Sequence, residues 1–328
     1  MKTTLEESPA SVRALAKESP KVRERAELDP HRGVQIKIKN ILVPLDFSRG
    51  SMQAFDYAIS LAKQFNAEIQ LAHVQIADEA CAVPNAGHLI RECAEAATLL
   101  REKLEGREPR PPFWPENCHI RTGRPYEQIC KLARELGVDL IVLGSRGHTG
   151  LKRVLLGSTA ERVARFSPCP VLIARKFKQG EFRLRRILVP TDFSQCAIPG
   201  LSYAALWAKT FDAKLRLFHV VPPVVPVLID RVAAHLPSEP RGIPADTNLE
   251  MEALIQLDFL TGTKCEPRIK IGYAVDTICS ETANVDLVVM STHGRSGLKR
   301  ALIGSVAEQV VRYADCPVLV VPSQSALS

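Results

Sequence analysis

The apolar residues of this chain follow two alternating rhythms. Short continuous apolar runs that stop at Pro, Gly or Asp read as buried parallel strands, and stretches with apolar residues three and four apart read as amphipathic helices. Asn40–Pro44 (NILVP) is β-branched, ends at a proline and predicts a first strand. Residues 52–65 carry Ala54, Phe55, Ala58, Leu61, Ala62 and Phe65 at helical spacing, and 67–74 (AEIQLAHV) predicts a second strand. Residues 88–104 place Leu89, Cys93, Ala96, Leu100 and Leu104 on one helical face, followed by a proline-rich connection over 105–115. A third strand is predicted over 118–121, a helix over 126–136 that Gly137 stops, and a fourth strand over 139–143. Ser158–Phe166 predicts a helix and 170–174 a last strand. Strands that alternate with helices call for a parallel α/β sheet. Right-handed crossovers bring the strand C-terminal ends to one edge, where ligands collect.

The whole plan then occurs again. Residues 176–186 (KFKQGEFRLRR) form a short basic linker, and ILVPTDFS at 187–194 repeats ILVPLDFS at 41–48 at every position but one. Residues 203–220 repeat 57–74 in their Tyr-Ala, Ala-Lys, Phe, Ala, Leu and His-Val, and CPVL occurs at 169–172 and 316–319. The shift of roughly 146 residues is too long for a solenoid and marks a domain duplication. The expected organisation is an arm over 1–37, domains over 38–176 and 187–323 with a linker at 177–186, and a tail over 324–328. The arm is rich in Glu, Lys, Arg, Ser and Pro, has too little apolar surface to bury, and is expected to be mobile. The least similar parts of the copies, 77–117 and 222–264, read as connections. In the second, Pro222, Pro223 and Pro226 turn an apolar run into an extended loop.

Composition narrows the function. The 328 residues suffice for two domains, with 46% hydrophobic and 24% charged residues as in an ordinary globular protein. A net charge of +7 is spread along the chain and favours anionic small molecules. No nucleic-acid module is recognisable, and 5% aromatic residues offer no base-stacking platform, so no nucleic-acid partner is expected. Nine cysteines without a C-x-x-C pair read as reduced thiols packed as small hydrophobes, as in the cytoplasm. The N-terminus lacks the apolar core of a secretory signal, and no apolar run reaches the about 18 residues of a membrane span.

The candidate chemistry lies in two glycine-rich loops, LIVLGSRGHTGLKRVLLGS at 140–158 and LVVMSTHGRSGLKRALIGS at 287–305. A strand, a glycine-rich turn and a helix start make an anion cradle of backbone N–H groups and helix-dipole charge. Gly144 and Gly147 would let the backbone approach a polyphosphate, and Gly157 with Ser158 would supply donors at the next helix start. Ser158 with Glu161, and Ser305 with Glu308, also match capping boxes, the purely structural use of those serines. Lys152, Arg153, Lys299 and Arg300 either offset phosphate charge or are solvated surface. Asp46 and Asp192 follow the first strand of each copy, where a carboxylate accepts from ribose hydroxyls or binds Mg2+ through water; the competing role is an N-cap. His73 and His219, at strand ends, read as packed or hydrogen-bonded, and His148 and His293 lie in the glycine loops. A Walker sequence, a Rossmann G-x-G-x-x-G after the first strand and a G-x-S-x-G elbow are all missing, and no catalytic base stands out.

ILVPLDFS and ILVPTDFS, AHV and FHV, the two glycine loops ending in Gly-Ser, and CPVL twice make residues 40–322 resemble a tandem universal stress protein. The resemblance implies two α/β domains, each a five-stranded parallel sheet flanked by helices, Rossmann-like and similar to adenine nucleotide alpha hydrolases. It implies adenine-nucleotide binding, with ATP as ligand and Mg2+ as its companion. Nucleotide contacts carried over from the family fall on Pro44, Leu45, Asp46, Val74, Leu143, Gly144, Gly147, Gly157, Ser158 and Thr159. In the second copy they fall on Pro190, Thr191, Asp192, Val220, Met290, Gly294, Gly304, Ser305 and Val306. Ser291 stands where the family pattern has its first glycine; if that position needs φ > 0, serine costs about 1 kcal/mol, so the first site is expected to bind better. Family members pair their last strands antiparallel, which implies an intramolecular pseudo-dimer here and leaves a homodimer of the whole chain open. The implied role is a stress-response regulator or sensor with at most weak ATPase activity; the alternatives are a slow ATP hydrolase and a nucleotide-independent protein-interaction module. The hydrolase relatives' S-G-G-x-D-S loop is absent from 44–48.

Overall fold

The computed structural model describes residues 36–76, 117–145, 156–175, 183–223, 243–292 and 304–322. The first half contains β1 (Asn40–Pro44), α1 (Arg49–Phe65), β2 (Glu68–Gln75), β3 (Cys118–Thr122), α2 (Pro125–Glu135), β4 (Leu140–Gly144), α3 (Ser158–Phe166) and β5 (Val171–Ala174). The second contains β6 (Arg186–Pro190), α4 (Ile198–Phe211), β7 (Lys214–Val221), α5 (Ala245–Ile255), β8 (Lys264–Ile271), α6 (Ala274–Thr282), β9 (Leu287–Ser291), α7 (Ser305–Tyr313) and β10 (Val318–Val321). The N-terminal arm, the helix expected over 88–104 and the proline-rich connection after it lie outside the described residues.

The expected elements form, with ends shifted by a few residues. α1 begins at Arg49 rather than 52 because Ser48 caps it: the Ser48 Oγ accepts from the Ser51 N–H at 3.2 Å. Gly137, at φ 57°, ends the turn after α2 in the left-handed region that the helix stop requires. One expectation is corrected. Residues 222–264 are not all connection, because α5 occupies Ala245–Ile255. Only Thr247, Met251 and Leu254 of that helix are buried, so its apolar stripe is too thin to stand out in the sequence.

The ten strands of the described residues join one sheet in the order β3-β2-β1-β4-β5-β10-β9-β6-β7-β8. Pairing is parallel within each half, and β5 meets β10 antiparallel with Val171↔Val320, Leu172↔Leu319 and Ile173↔Val318. Both strands are buried throughout, so the two edges that a single domain would expose cover each other. α1 and α4 lie on one face of the sheet, where Phe55 and Trp207 are fully buried. Phe65 reaches across the halves to Trp207 with ring centroids 5.5 Å apart, and the Gln64 amide donates to the Thr210 carbonyl at 2.9 Å. α2, α3, α6 and α7 cover the other face. Cys130, Cys169 and Cys316 are buried there, and burial pushes the Cys169 and Cys316 thiols up to about 12. Among the described residues no helix is long and apolar enough to cross a membrane.

The strand order positions the site. From β1 the chain passes to β2 on one side, and β4 returns on the other; β6, β7 and β9 do the same. Crevices open where the order reverses, at the C-terminal ends of β1 and β4 and of β6 and β9.

Candidate functional site

One wall of each crevice is the Asp-Phe-Ser turn. Phe47 and Phe193 have φ of 61° and 60°, a left-handed conformation that costs a bulky residue about 1 kcal/mol or more. Several contacts hold it. The Asp46 Oδ1 accepts from the Ser48 N–H at 3.0 Å, and the Asp192 Oδ1 accepts from the Ser194 N–H at 3.0 Å. The Phe47 ring packs on His73 with centroids 5.1 Å apart, and Phe193 on His219 at 4.3 Å. His73 Nδ1 bonds the Leu45 carbonyl at 2.8 Å and His219 Nδ1 the Thr191 carbonyl at 2.7 Å, which requires the proton on Nδ1. The His of each H-V pair therefore braces the turn. The aspartates are not helix N-caps: Ser48 caps α1, and in the second half Ser194 precedes the 3-10 turn Gln195–Ala197 that leads into α4. Each aspartate instead closes its own two-residue loop, which fixes its carboxylate beside the crevice.

The opposite wall is the start of α3 or α7. The Gly157 N–H donates to the Ser145 carbonyl at 2.9 Å and the Gly304 N–H to the Thr292 carbonyl at 2.7 Å, so each glycine loop has its two ends tied together. Gly147, Gly294, His148, His293, Lys152, Arg153, Lys299 and Arg300 lie outside the described residues. Gly157 and Gly304 are themselves the N-caps, in extended conformation and without a side-chain cap. The first N–H groups to bond back are those of Glu161 and Glu308, at 3.0 and 2.9 Å. The N–H groups of 158–160 and 305–307 thus have no partner within the helix and carry its positive end. This corrects the capping boxes. Ser158 and Ser305 are the first helical residues, one position too late to cap, because glycine has taken the extended position. Glu161 and Glu308 both turn to Arg312, at 3.3 and 3.1 Å, and the first of these pairs crosses between the halves.

The floor differs between the halves in an instructive way. Neither Gly144 nor Ser291 has a positive φ, so the expected backbone cost of serine does not arise. Glycine at 144 answers to space: a Cβ there would lie 2.5 Å from the Gly50 carbonyl carbon and oxygen and 2.8 Å from the Ser51 nitrogen. In the second half the roles are exchanged. Ser291 Oγ accepts from the Gly200 N–H of α4 at 3.0 Å, and it is Gly200 whose Cβ would lie 2.9 Å from that oxygen. Backbone strain at this position therefore gives the first site no advantage over the second.

In the second half these walls enclose a cavity of about 350 Å3. Pro190, Thr191, Asp192, Val220, Met290, Gly304, Ser305 and Val306, all the described second-half candidates, line it. Phe218, Val220, Ile278 and Met290 supply an apolar wall, and Thr191, Asp192, Ser305 and the start of α7 a polar one. Ala274 and Ile278 line the cavity too and carry no motif in the sequence; α6 starts at the strand ends, which points its first turns at the crevice. In the first half, Pro44, Leu45 and Asp46 follow β1, Val74 lies near the end of β2, Leu143 and Gly144 end β4, and Gly157, Ser158 and Thr159 open α3. Among the described residues, Asp192 and His219 are the titratable groups lining the cavity, and the first is the single carboxylate. A magnesium ion suits such a wall, since it is commonly held by one or two carboxylates plus a phosphate and waters. Cys196 lies nearby, but burial and then the Asp192 charge push its thiol up and disfavour the nucleophilic thiolate.

An open parallel sheet flanked by helices, with a bare helix N-terminus at its switch point, defines a Rossmann-like α/β domain, present here twice. The universal stress protein family profile matches residues 37–175 and again 183–322, and the chain belongs to that family as a tandem of two domains. A universal stress protein of Methanocaldococcus jannaschii is 36% identical over 149 residues, covering 43% of this chain and 84% of the relative. One from Mycolicibacterium smegmatis is 26% identical over 295 residues and covers 86% of this chain and 96% of its own length. The crystal structure of a universal stress protein from Archaeoglobus fulgidus shares the fold, with a TM-score of 0.65 at 21% identity over 88% of this chain and 98% of that one.

Proposed function

We propose that the chain binds an adenine nucleotide, ATP, at the switch-point crevices and acts as a regulator or sensor in the stress response. The observation that carries this reading is the convergence of Asp192, Val220, Met290, Gly304, Ser305 and Val306, from four separate segments, on one cavity. Its volume lies at the lower end of the range for small-molecule sites, roughly 300–1,000 Å3. In this reading the N–H groups of 305–307 receive phosphate oxygens, helped by the dipole of α7. Asp192 accepts from the ribose hydroxyls or holds Mg2+ through water, and the adenine lies on the Phe218, Ile278 and Met290 side with the Val220 backbone at its edge. Magnesium would supply charge neutralisation between phosphate groups. Binding is favoured over turnover, because Asp192 Oδ1 and His219 Nδ1 are both committed to the turn. The cytoplasm goes with this proposal, since it offers ATP and keeps thiols reduced.

Isothermal titration of the purified chain with ATP and AMP, followed by a phosphate-release assay, tests it. We expect saturable ATP binding that weakens at least tenfold at one site in Gly304→Val and at the other in Gly157→Val, with phosphate release near background. Absence of ATP binding to the intact chain would overturn the reading in favour of a nucleotide-independent interaction module. Rapid phosphate release would move it to the hydrolase class.

A further inference from the structure

The duplication provides an internal control for a surface at the other edge of the sheet. β6, β7 and β8 begin with Arg186, Lys214 and Lys264, and these three are in register: Arg186 faces Lys214, and Lys214 faces Lys264. Neighbouring strands lie about 4.8 Å apart, so three cations stand side by side, and like charges directly opposite one another destabilise a sheet. The first half does not share the arrangement. Its corresponding pair is Asn40 facing Glu68. The second copy has thus replaced a neutral residue and an acid by two exposed cations.

The row borders a groove of about 770 Å3 that Arg183, Arg185 and Lys209 also line, with Asp212 as the one carboxylate among the described residues of its lining. Asp212 pairs with Lys264 at 2.7 Å, and the Asp286 carboxylate accepts from the Arg185 and Arg186 N–H groups, so among the described residues the lining stays net positive. Gln64 of α1 forms part of the wall, so the groove lies where the two halves meet. A concave surface lined by one sign of charge focuses its field on an incoming counter-charge.

We propose that this groove binds an oligophosphate, a short chain of linked phosphate groups. Closely spaced cations need closely spaced anions, and Arg forks and Lys ammonium groups are the donors that phosphate oxygens take. Single-stranded nucleic acid would require a series of aromatic faces for its bases, and Phe211 is the one aromatic residue among the described residues of the lining. An acidic peptide would require a central apolar pocket for anchoring side chains, and the described lining offers as apolar side chains only Leu184, which is buried, and the half-buried Phe211.

The test is titration of the whole chain with inorganic tripolyphosphate and a longer polyphosphate, at low and at high salt. The double variant Arg186→Asn with Lys214→Glu installs the first-half residues, and Lys264→Gln is a milder second variant. Circular dichroism and unfolding midpoints establish that each folds. We expect saturable binding to the wild type that fades with salt, at least tenfold weaker binding to the double variant, a smaller loss in Lys264→Gln, and retained binding in Gly157→Val with Gly304→Val. That last arm separates this groove from the proposed nucleotide sites, on which it does not depend. The proposal is overturned if the wild type does not bind at low salt, or if the double variant binds equally well. It also fails if poly-glutamate or single-stranded DNA of matched charge binds as tightly as the phosphate chain.

Discussion

Gly144 and Ser291 end equivalent strands, yet only one of these positions needs glycine. A Cβ at Gly144 would press into the Gly50 carbonyl at 2.5 Å, a backbone contact that no rotamer change relieves. Gly144→Ala should therefore destabilise the chain by about 1–3 kcal/mol, as overpacking does. Ser291→Ala should cost about 1 kcal/mol, for the hydrogen bond to the Gly200 N–H. Urea unfolding measures both; a Gly144→Ala variant within a few tenths of a kcal/mol of wild type would contradict the close-approach account. For the same reason a bulky residue at 144 is a poor probe of the proposed nucleotide site, since it disturbs α1 before it meets any ligand.

Helix starts show how a local sequence pattern and the assembled chain diverge. Ser305 matches a capping box but is the first residue inside α7, whereas Ser48, with no such box, caps α1. Ser48→Ala should cost about 1 kcal/mol in unfolding free energy. Ser305→Ala should leave stability nearly unchanged, because alanine is a good helix former there, while ATP affinity falls if the hydroxyl serves the phosphates. Equal stability losses in the two variants would restore the capping-box reading. The glutamates freed from that role acquire another: Arg312 bonds Glu308 on its own helix and Glu161 on α3 of the other half.

Across the whole molecule the halves are joined by more than their linker. The β5–β10 pairing makes the sheet continuous, the Arg175 guanidinium donates to the Val311 and Arg312 carbonyls at the end of α7, and Trp207 is buried against Phe65. Trp207→Ala should cost about 3–5 kcal/mol. Because the indole serves both halves, that loss should lower one shared transition in thermal unfolding followed by near-ultraviolet circular dichroism. Two well-separated transitions, with only the later half affected, would show that the halves fold independently. Light scattering of the wild type should report a compact particle rather than two separated beads.

The sequence by itself determined the alternation of strands and helices, the duplication and the strand ends that carry the candidate site. Those features depend on local periodicity and on short repeated stretches such as ILVPLDFS and ILVPTDFS. The antiparallel pairing of the last strands was implied by the family resemblance rather than by the residues alone, and β5 and β10 pair in that way. α5 was hidden because only three of its residues are buried. Gly157 and Gly304 displaced the serines as caps because bonds to Ser145 and Thr292 set their backbone, and those bonds follow from tying the loop ends together. The contact between Gly144 and Gly50, the exchange of roles in Ser291 and Gly200, and the row from Arg186 through Lys214 to Lys264 belong to the tertiary structure alone. Each joins segments far apart in the chain, and only strand register and helix approach decide which of their residues meet.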